Sequence, residues 1–262
     1  MDESAEEAAE QPGAYQIIMA RFCMKIAGHT AQVTSLFEST PQYFRSYLTE
    51  DIPEFAISVT REMIDFEQAD LLEEAYRDGF KPRVFTDPFL ERAAIQRAFA
   101  EYLFDNNILL FHGSAIAVDG EGYLFTAHSG TGKSTHTRLW QQVFGDRAVM
   151  VNDDKPFLEI KQAGVLLHGS PWSGKHGLDV NICVPLKGLC ILERGKENCI
   201  LPATAEEALP MLRKQAYCPL KAEKKVAFGM LTAKLSGSVS LWKMACNKEP
   251  DAATTAFEAM NK

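Results

Sequence analysis

The run Ala127-His128-Ser129-Gly130-Thr131-Gly132-Lys133-Ser134-Thr135 has the residue types and spacing to hold a polyphosphate. Glycines let successive backbone N–H groups turn inward around phosphate oxygens, and a following helix adds the positive end of its dipole. In that arrangement the Lys133 ammonium reaches the β- and γ-phosphates, and the Ser134 hydroxyl is a ligand for Mg²⁺. Ser129, Gly130, Thr131, Gly132 and Thr135 complete the cradle. The flanking sequence supplies the context that this chemistry needs. Gly122 to Ala127 is an apolar run that reads as a buried strand. Lys133 to Phe144 has helical spacing, with Leu139, Trp140 and Val143 on one side. Strand, glycine-rich loop and helix imply a nucleoside triphosphate as ligand, with ATP and Mg²⁺ the expected pair. The usual pattern opens with Gly where this chain has Ala127. The change adds a methyl group at a tight turn and removes no phosphate donor.

Just downstream, Ala148 to Val151 reads as a buried strand ending in Asn152-Asp153-Asp154. Two adjacent carboxylates beside a phosphate loop suit divided labour. One holds Mg²⁺, directly or through water; the other accepts a proton from an attacking hydroxyl. An Asp-rich turn closing a strand is the plainer alternative. Upstream, Ile108 to Phe111 leads into His112-Gly113-Ser114, and Ala115 to Val118 reaches a hairpin signal at Asp119-Gly120. His112 then sits on the strand beside the one that feeds the loop.

In this order, residues 108 to 190 resemble the catalytic domain of HPr kinase/phosphorylase. That domain is related to the nucleotide core of phosphoenolpyruvate carboxykinase, whose SGTGK loop is similar. The resemblance implies that Lys133 and Ser134 bind phosphate and Mg²⁺, that Asp154 is the proton acceptor, and that His112 supports the reacting phosphate. The chain also departs from the family. HPr kinases carry a Glu-x-Arg-Gly signature before an Asn-containing strand. Here the stretch from Gly169 to Asn181 places Lys175 where the Arg would be and has no Glu. Asp153, Asp179 or water is left to supply that charge, and Asp153 is the expected metal ligand beside Ser134. The family's last active-site Arg has no clear counterpart, although Lys214 and Lys221 are near in sequence. These departures bear on the phosphorylase half-reaction and on HPr as substrate. The chain looks closer to HPr-kinase-like proteins of bacterial gene clusters, some of which phosphorylate a Ser on a small peptide.

The stretch Ser170 to Gly177 carries a cation, an imidazole and a large aromatic on a Gly- and Ser-rich loop. It reads equally as a mobile strip over the reacting groups or as a surface crossover with Trp172 tucked into the core. His128 and His136 flank the phosphate loop. His136 is expected on a solvated first helical turn, with Arg138 on a helix face.

The elements that must position these residues follow from patterning. Tyr15 to Ile26 and Glu54 to Thr60 read as strands, and Arg61 to Arg77 as a helix. A second helix begins near Asp87-Pro88, with Asp as N-cap. Gly188 to Arg194 reads as a strand, and Thr204-Ala-Glu-Glu207 as a capping box. Helices are expected from there toward Tyr217 and over Glu223 to Leu235, then a strand over Val239 to Cys246 and a last helix capped by Asp251. The fold class is α/β: a mixed sheet containing the phosphate loop and flanked by helices, phosphoenolpyruvate carboxykinase/HPr kinase-like, with a smaller N-terminal α+β lobe. The expected domains are an acidic disordered tail over 1–12, the lobe over 13–106 and the catalytic domain over 107–262.

A hydrophobic fraction of 46% and a charged fraction of 24% are ordinary for a globular chain of 262 residues. A net charge of −8 with no basic stripe argues against nucleic acid as partner. No apolar run is long enough to span a bilayer, and no N-terminal secretory signal is present. The scattered cysteines form no C-x-x-C pair, as expected of reduced thiols in the cytoplasm. The expected activity is transfer of the γ-phosphate of ATP to a hydroxyl of a peptide, a protein or a small alcohol, in a chain that can form a homo-oligomer. The alternatives are an ATP-hydrolysing switch and a catalytically degenerate nucleotide-binding module.

Overall fold

The computed structural model describes residues 19–77, 79, 81–174 and 177–262. The expected acidic tail over 1–12 and the site residue Lys175 lie outside these. Contacts divide the chain into two compact units, Met1–Met24 with Ala31–Arg97 and Lys25–Thr30 with Ala98–Lys262.

The first unit is built on a three-stranded sheet in the order β1 (Ala20–Ile26), β2 (His29–Ser35), β3 (Phe55–Ser58), with β3 parallel to β2. Its helices are α1 (Thr40–Tyr43), α2 (Arg61–Arg77) and the first part of α3 (Asp87–Phe104). Strand β2 was not anticipated, although Ala31, Val33 and Ser35 alternate inward with the period of two that a strand requires. Helix α3 starts at Asp87, one residue earlier than an Asp87 cap implies, since Leu90 N–H bonds Thr86 C=O at 3.0 Å. Arg97 ties α3 to α2 through Glu67 and Asp70. Glu91 is fully buried; burial pushes its carboxyl up, against hydrogen bonds from the Thr40 hydroxyl and the Leu36 amide.

The second unit is a nine-stranded mixed sheet with helices on both faces. Its strands are β4 (Ile108–Leu110), β5 (Ser114–Val118), β6 (Glu121–Thr126), β7 (Ala148–Asn152), β8 (Phe157–Ile160), β9 (Val165–His168), β10 (Cys183–Arg194), β11 (Cys199–Pro202) and β12 (Ser240–Cys246). The main path is β4-β8-β9-β10-β6-β5-β7, with β12 also beside β10 and β11 beside β12. Strand β10 joins two regimes. Its first residues pair antiparallel with β9, and its later ones lie parallel to β6 and β12. The Asp119-Gly120 hairpin forms between β5 and β6 with φ of 53° and 83°, and Arg147 pairs with Asp119.

Side-chain alternation builds two cores. Ala115, Ala117, Leu124, Leu189 and Ile191 face α5 (Ala205–Gln215) and α6 (Lys224–Ser238). Ile116, Val118, Tyr123, Phe125 and Leu192 face α4 (Lys133–Phe144) and α7 (Asp251–Met260). Central strands buried on both faces read as continuous apolar runs, as β5 and β6 do. The capping box at Thr204 and Glu207 is present. Asp251 is the first residue of α7 rather than its cap, and Pro250 holds the cap position. Strand β7 departs from the expected fully buried run, because Val149 is exposed.

Strand β5 is antiparallel to both β6 and β7, so β7 runs in the same sense as β6, β10 and β12. The C-terminal ends of these four strands and the N-terminal end of β5 therefore share one sheet edge. Among the described residues, no helix is long and apolar enough to cross a membrane.

Candidate active site

Strand β6 delivers the chain to Ala127 at this edge. Ala127 is fully buried, and its backbone is outside the left-handed region, so its methyl group causes no strain. Beyond it, Gly130 and Gly132 take φ of 73° and 122°, which L side chains rarely adopt. The first α4 bond runs from His136 N–H to Gly132 C=O at 2.9 Å. By helix geometry, the N–H groups of Lys133, Ser134 and Thr135 have no partner within α4. Lys133 Nζ turns back to Ala127 C=O at 3.5 Å, where Gln215 Nε2 also donates at 3.3 Å. Burial lowers the Lys133 pKa; Asp154 and Asp153 act against the fall, and Lys155 adds to it. Arg194, at the end of β10, donates to Gly130 C=O at 2.5 Å.

Asn152 closes β7 and organises the turn that follows. Its Oδ1 accepts the N–H groups of Asp154 (2.8 Å) and Lys155 (2.6 Å), and its Nδ2 donates to Ser170 C=O at 2.8 Å. This turn sends the adjacent carboxylates to different partners. Asp153 is buried, and its Oδ1 accepts the Ser114 hydroxyl at 2.6 Å. Ser114 Oγ lies 2.7 Å from Thr137 Oγ1, one turn into α4. Asp154 Oδ1 lies 3.2 Å from His112 Nε2, with about a third of each side chain open to solvent. Burial pushes the Asp154 carboxyl up, but the His112 hydrogen bond and the charges of Lys155 and Lys133 outweigh it. The net pKa is below the ordinary carboxylate value. Burial also lowers the His112 pKa, Asp154 notwithstanding. At neutral pH a neutral imidazole thus donates to an ionised carboxylate.

No family model matches the chain, and no curated protein matches it. Among solved structures it is similar to that of the Hpr(Ser) kinase/phosphatase from Coxiella burnetii. The identity is 10%, over 58% of this chain and 99% of that chain, with a TM-score of 0.35. At that level the likeness bears no weight for fold or activity.

The edge thus collects Ser129 to Thr135, His112, Asp153 and Asp154 from separate segments. Lys175 lies outside the described residues, and the segment leading to it is described. Residues 168–173 are buried, Trp172 packs near Phe99 and Phe157, and Ser173 Oγ donates to Asp179 Oδ1 at 2.6 Å. Trp172 is tucked into the core, as in the crossover reading, but residues 168–173 are buried rather than at the surface; Asn152 Nδ2 donates to the Ser170 and Trp172 carbonyls there. At its end Gly174 abuts Asp154, where an added Cβ would lie 3.2 Å from Asp154 Cβ.

His136 is likewise buried rather than solvated. Trp140 Nε1 donates to its Nε2 at 3.1 Å, its Nδ1 has no partner among the described residues, and burial lowers its pKa to about 4. Arg138 remains exposed. Two clefts flank the end of β10. One, of about 250 Å³, is lined by Thr131, Thr135, His136, Leu192, Arg194 and Cys246. The other, of about 280 Å³, is lined by His128, Glu193, Glu207, Lys214 and Lys243. Sequence reasoning gave no role to Ser114, Thr137, Arg194 or Gln215. None of them stands in a local pattern that marks it.

Proposed function

We propose that the chain is an ATP- and Mg²⁺-dependent phosphotransferase that moves the γ-phosphate to a hydroxyl of a peptide, a protein or a small alcohol. One observation carries the reading: the His112–Asp154 pair sits at the same sheet edge as the glycine loop, Lys133 and the first turn of α4, whose amides have no partner within the helix. On this reading Ser129 to Thr135 form a phosphate-binding loop, and Lys133 holds the β- and γ-phosphates.

A divalent cation fits the donor set. Ser134 and Asp153 offer hard oxygen ligands. No group of three or more His, Cys, Asp or Glu among the described residues could hold a metal by itself. That suits Mg²⁺, which is commonly held by one or two protein groups, substrate phosphates and waters. When bound, it neutralises charge that develops on the transferring group.

His112 holds Asp154 by Oδ1, leaving Oδ2 for the acceptor proton. The acceptor oxygen bonds to the γ-phosphorus as the bond to the β–γ bridging oxygen breaks, and ADP leaves with that electron pair. The acceptor proton goes to Asp154. Lys133 balances the negative charge throughout, and Lys175 is assigned to brace the same group. On this reading the nucleoside half is assigned to the 250 Å³ cleft, which adjoins the Thr131–Thr135 side of the loop.

The test is transfer from γ-³²P-ATP to peptide and small-molecule fractions of a host lysate. Asp154→Asn should retain ATP binding and lower turnover by at least ~10²-fold. Lys133→Ala should reduce binding and turnover together. Transfer by Asp154→Asn at the normal rate refutes the proton-acceptor role. Release of free phosphate with no labelled acceptor favours a switch, and tight binding without turnover favours a degenerate module.

A further inference from the structure

Ser114 and Thr137 are both fully buried, and they come from the start of β5 and the second turn of α4. Their hydroxyls form a chain whose direction follows from counting protons. As a carboxylate, Asp153 only accepts, so the Ser114 proton goes to its Oδ1 at 2.6 Å. Ser114 Oγ then has acceptor capacity alone to offer Thr137 at 2.7 Å. Thr137 has one proton. A helical Thr commonly gives it to a carbonyl one turn back. Here those carbonyls, Lys133 at 3.4 Å and Ser134 at 3.3 Å, are farther than Ser114. The order is therefore Thr137 to Ser114 to Asp153.

We infer that Thr137 and Ser114 are positioning residues that fix the Asp153 carboxylate against the first turn of α4, with Oδ1 bonded and Oδ2 presented to a divalent cation shared with Ser134. Among the described residues no hydrogen bond reaches Asp153 Oδ2. The chain of hydroxyls links the turn that carries Lys133 and Ser134 to a carboxylate on another strand. Loop and metal ligand are thereby held in one register. This inference rests on the phosphotransferase reading. Outer partners of a ligand typically set metal affinity by about 10–100-fold.

The test uses the full chain and Mn²⁺ as probe. Mn²⁺ binding is followed by electron paramagnetic resonance with a non-hydrolysable ATP analogue, and analogue binding is measured in parallel in excess chelator. Thr137→Val keeps shape and removes the hydroxyl, Ser114→Ala breaks the next link, and Thr137→Ser restores the donor. Thr137→Val and Ser114→Ala should each weaken Mn²⁺ binding by ~10-fold or more. Metal-free analogue binding should stay within about twofold, and Thr137→Ser should recover most of the loss. Unchanged Mn²⁺ affinity in the folded variants overturns the inference. So does an equal loss of metal-free binding, which marks a packing role. If either variant fails to fold, the other decides. A wild type that binds no analogue with or without Mn²⁺ overturns the underlying reading instead.

Discussion

At the residue scale, the proposed chemistry turns on two neighbouring carboxylates that the fold sets apart. Asp153 is drawn to Ser114 and Asp154 to His112, where Asn152 accepts the Asp154 and Lys155 amides and turns the chain. Asp154 is kept ionised partly by the His112 bond, while burial acts in the opposite direction. Its protonation should therefore set the acid limb of kcat/KM below the ordinary carboxylate range. Removing the imidazole leaves the burial effect less opposed. His112→Ala should move that limb upward. A pH–rate profile of the two proteins checks this, and an unmoved limb rules out the pairing as the cause. The Asp-Asp doublet and His112 were legible from local sequence. Ser114 and Thr137 were not, because buried hydroxyls acquire meaning from the atom they face.

At the element scale, α4 does two jobs. Its first turn lies at the sheet edge that carries His112 and Asp154, and its buried side packs His136 among Phe125 and Trp140. The helix was readable to the residue because a strand, a glycine loop and an apolar stripe announce it together. The environment of His136 was not readable, since its burial depends on β6 lying beneath it. That burial makes stability depend on pH. The folded pKa is about 4 against 6.5 for an ordinary imidazole, so the unfolded chain binds a proton that the folded chain refuses. Stability from this residue is fully present above pH about 6.5 and declines as pH falls toward 4, by about 3 kcal/mol in all. Thermal denaturation between those pH values should show a shallower slope for His136→Phe than for wild type. Equal slopes would mean that His136 takes up its proton without unfolding.

At the scale of the whole molecule, the sheet order places the loop, the carboxylates and two clefts along one edge. The cleft assigned to the nucleoside under the proposed function exists because β10 and β12 lie parallel and end together, bringing Leu192, Arg194 and Cys246 beside the loop. Cys246→Phe should fill it. ATP affinity should fall about tenfold, near 1.4 kcal/mol, with tripolyphosphate affinity unchanged. Calorimetric titration of both ligands checks this, and an equal loss for both assigns the cleft to the phosphates. The sequence alone determined the loop, the helix after it, the Asp119-Gly120 hairpin and the Asp-Asp terminus. Each depends on spacing within a few residues, which local backbone physics reads directly. Tertiary structure decided which partner each carboxylate takes, the burial of residues 168–173, and the placing of Arg194 and Gln215 on the loop's carbonyls. Those contacts join residues far apart in the chain, and strand order and register, not local pattern, bring them within hydrogen-bonding reach.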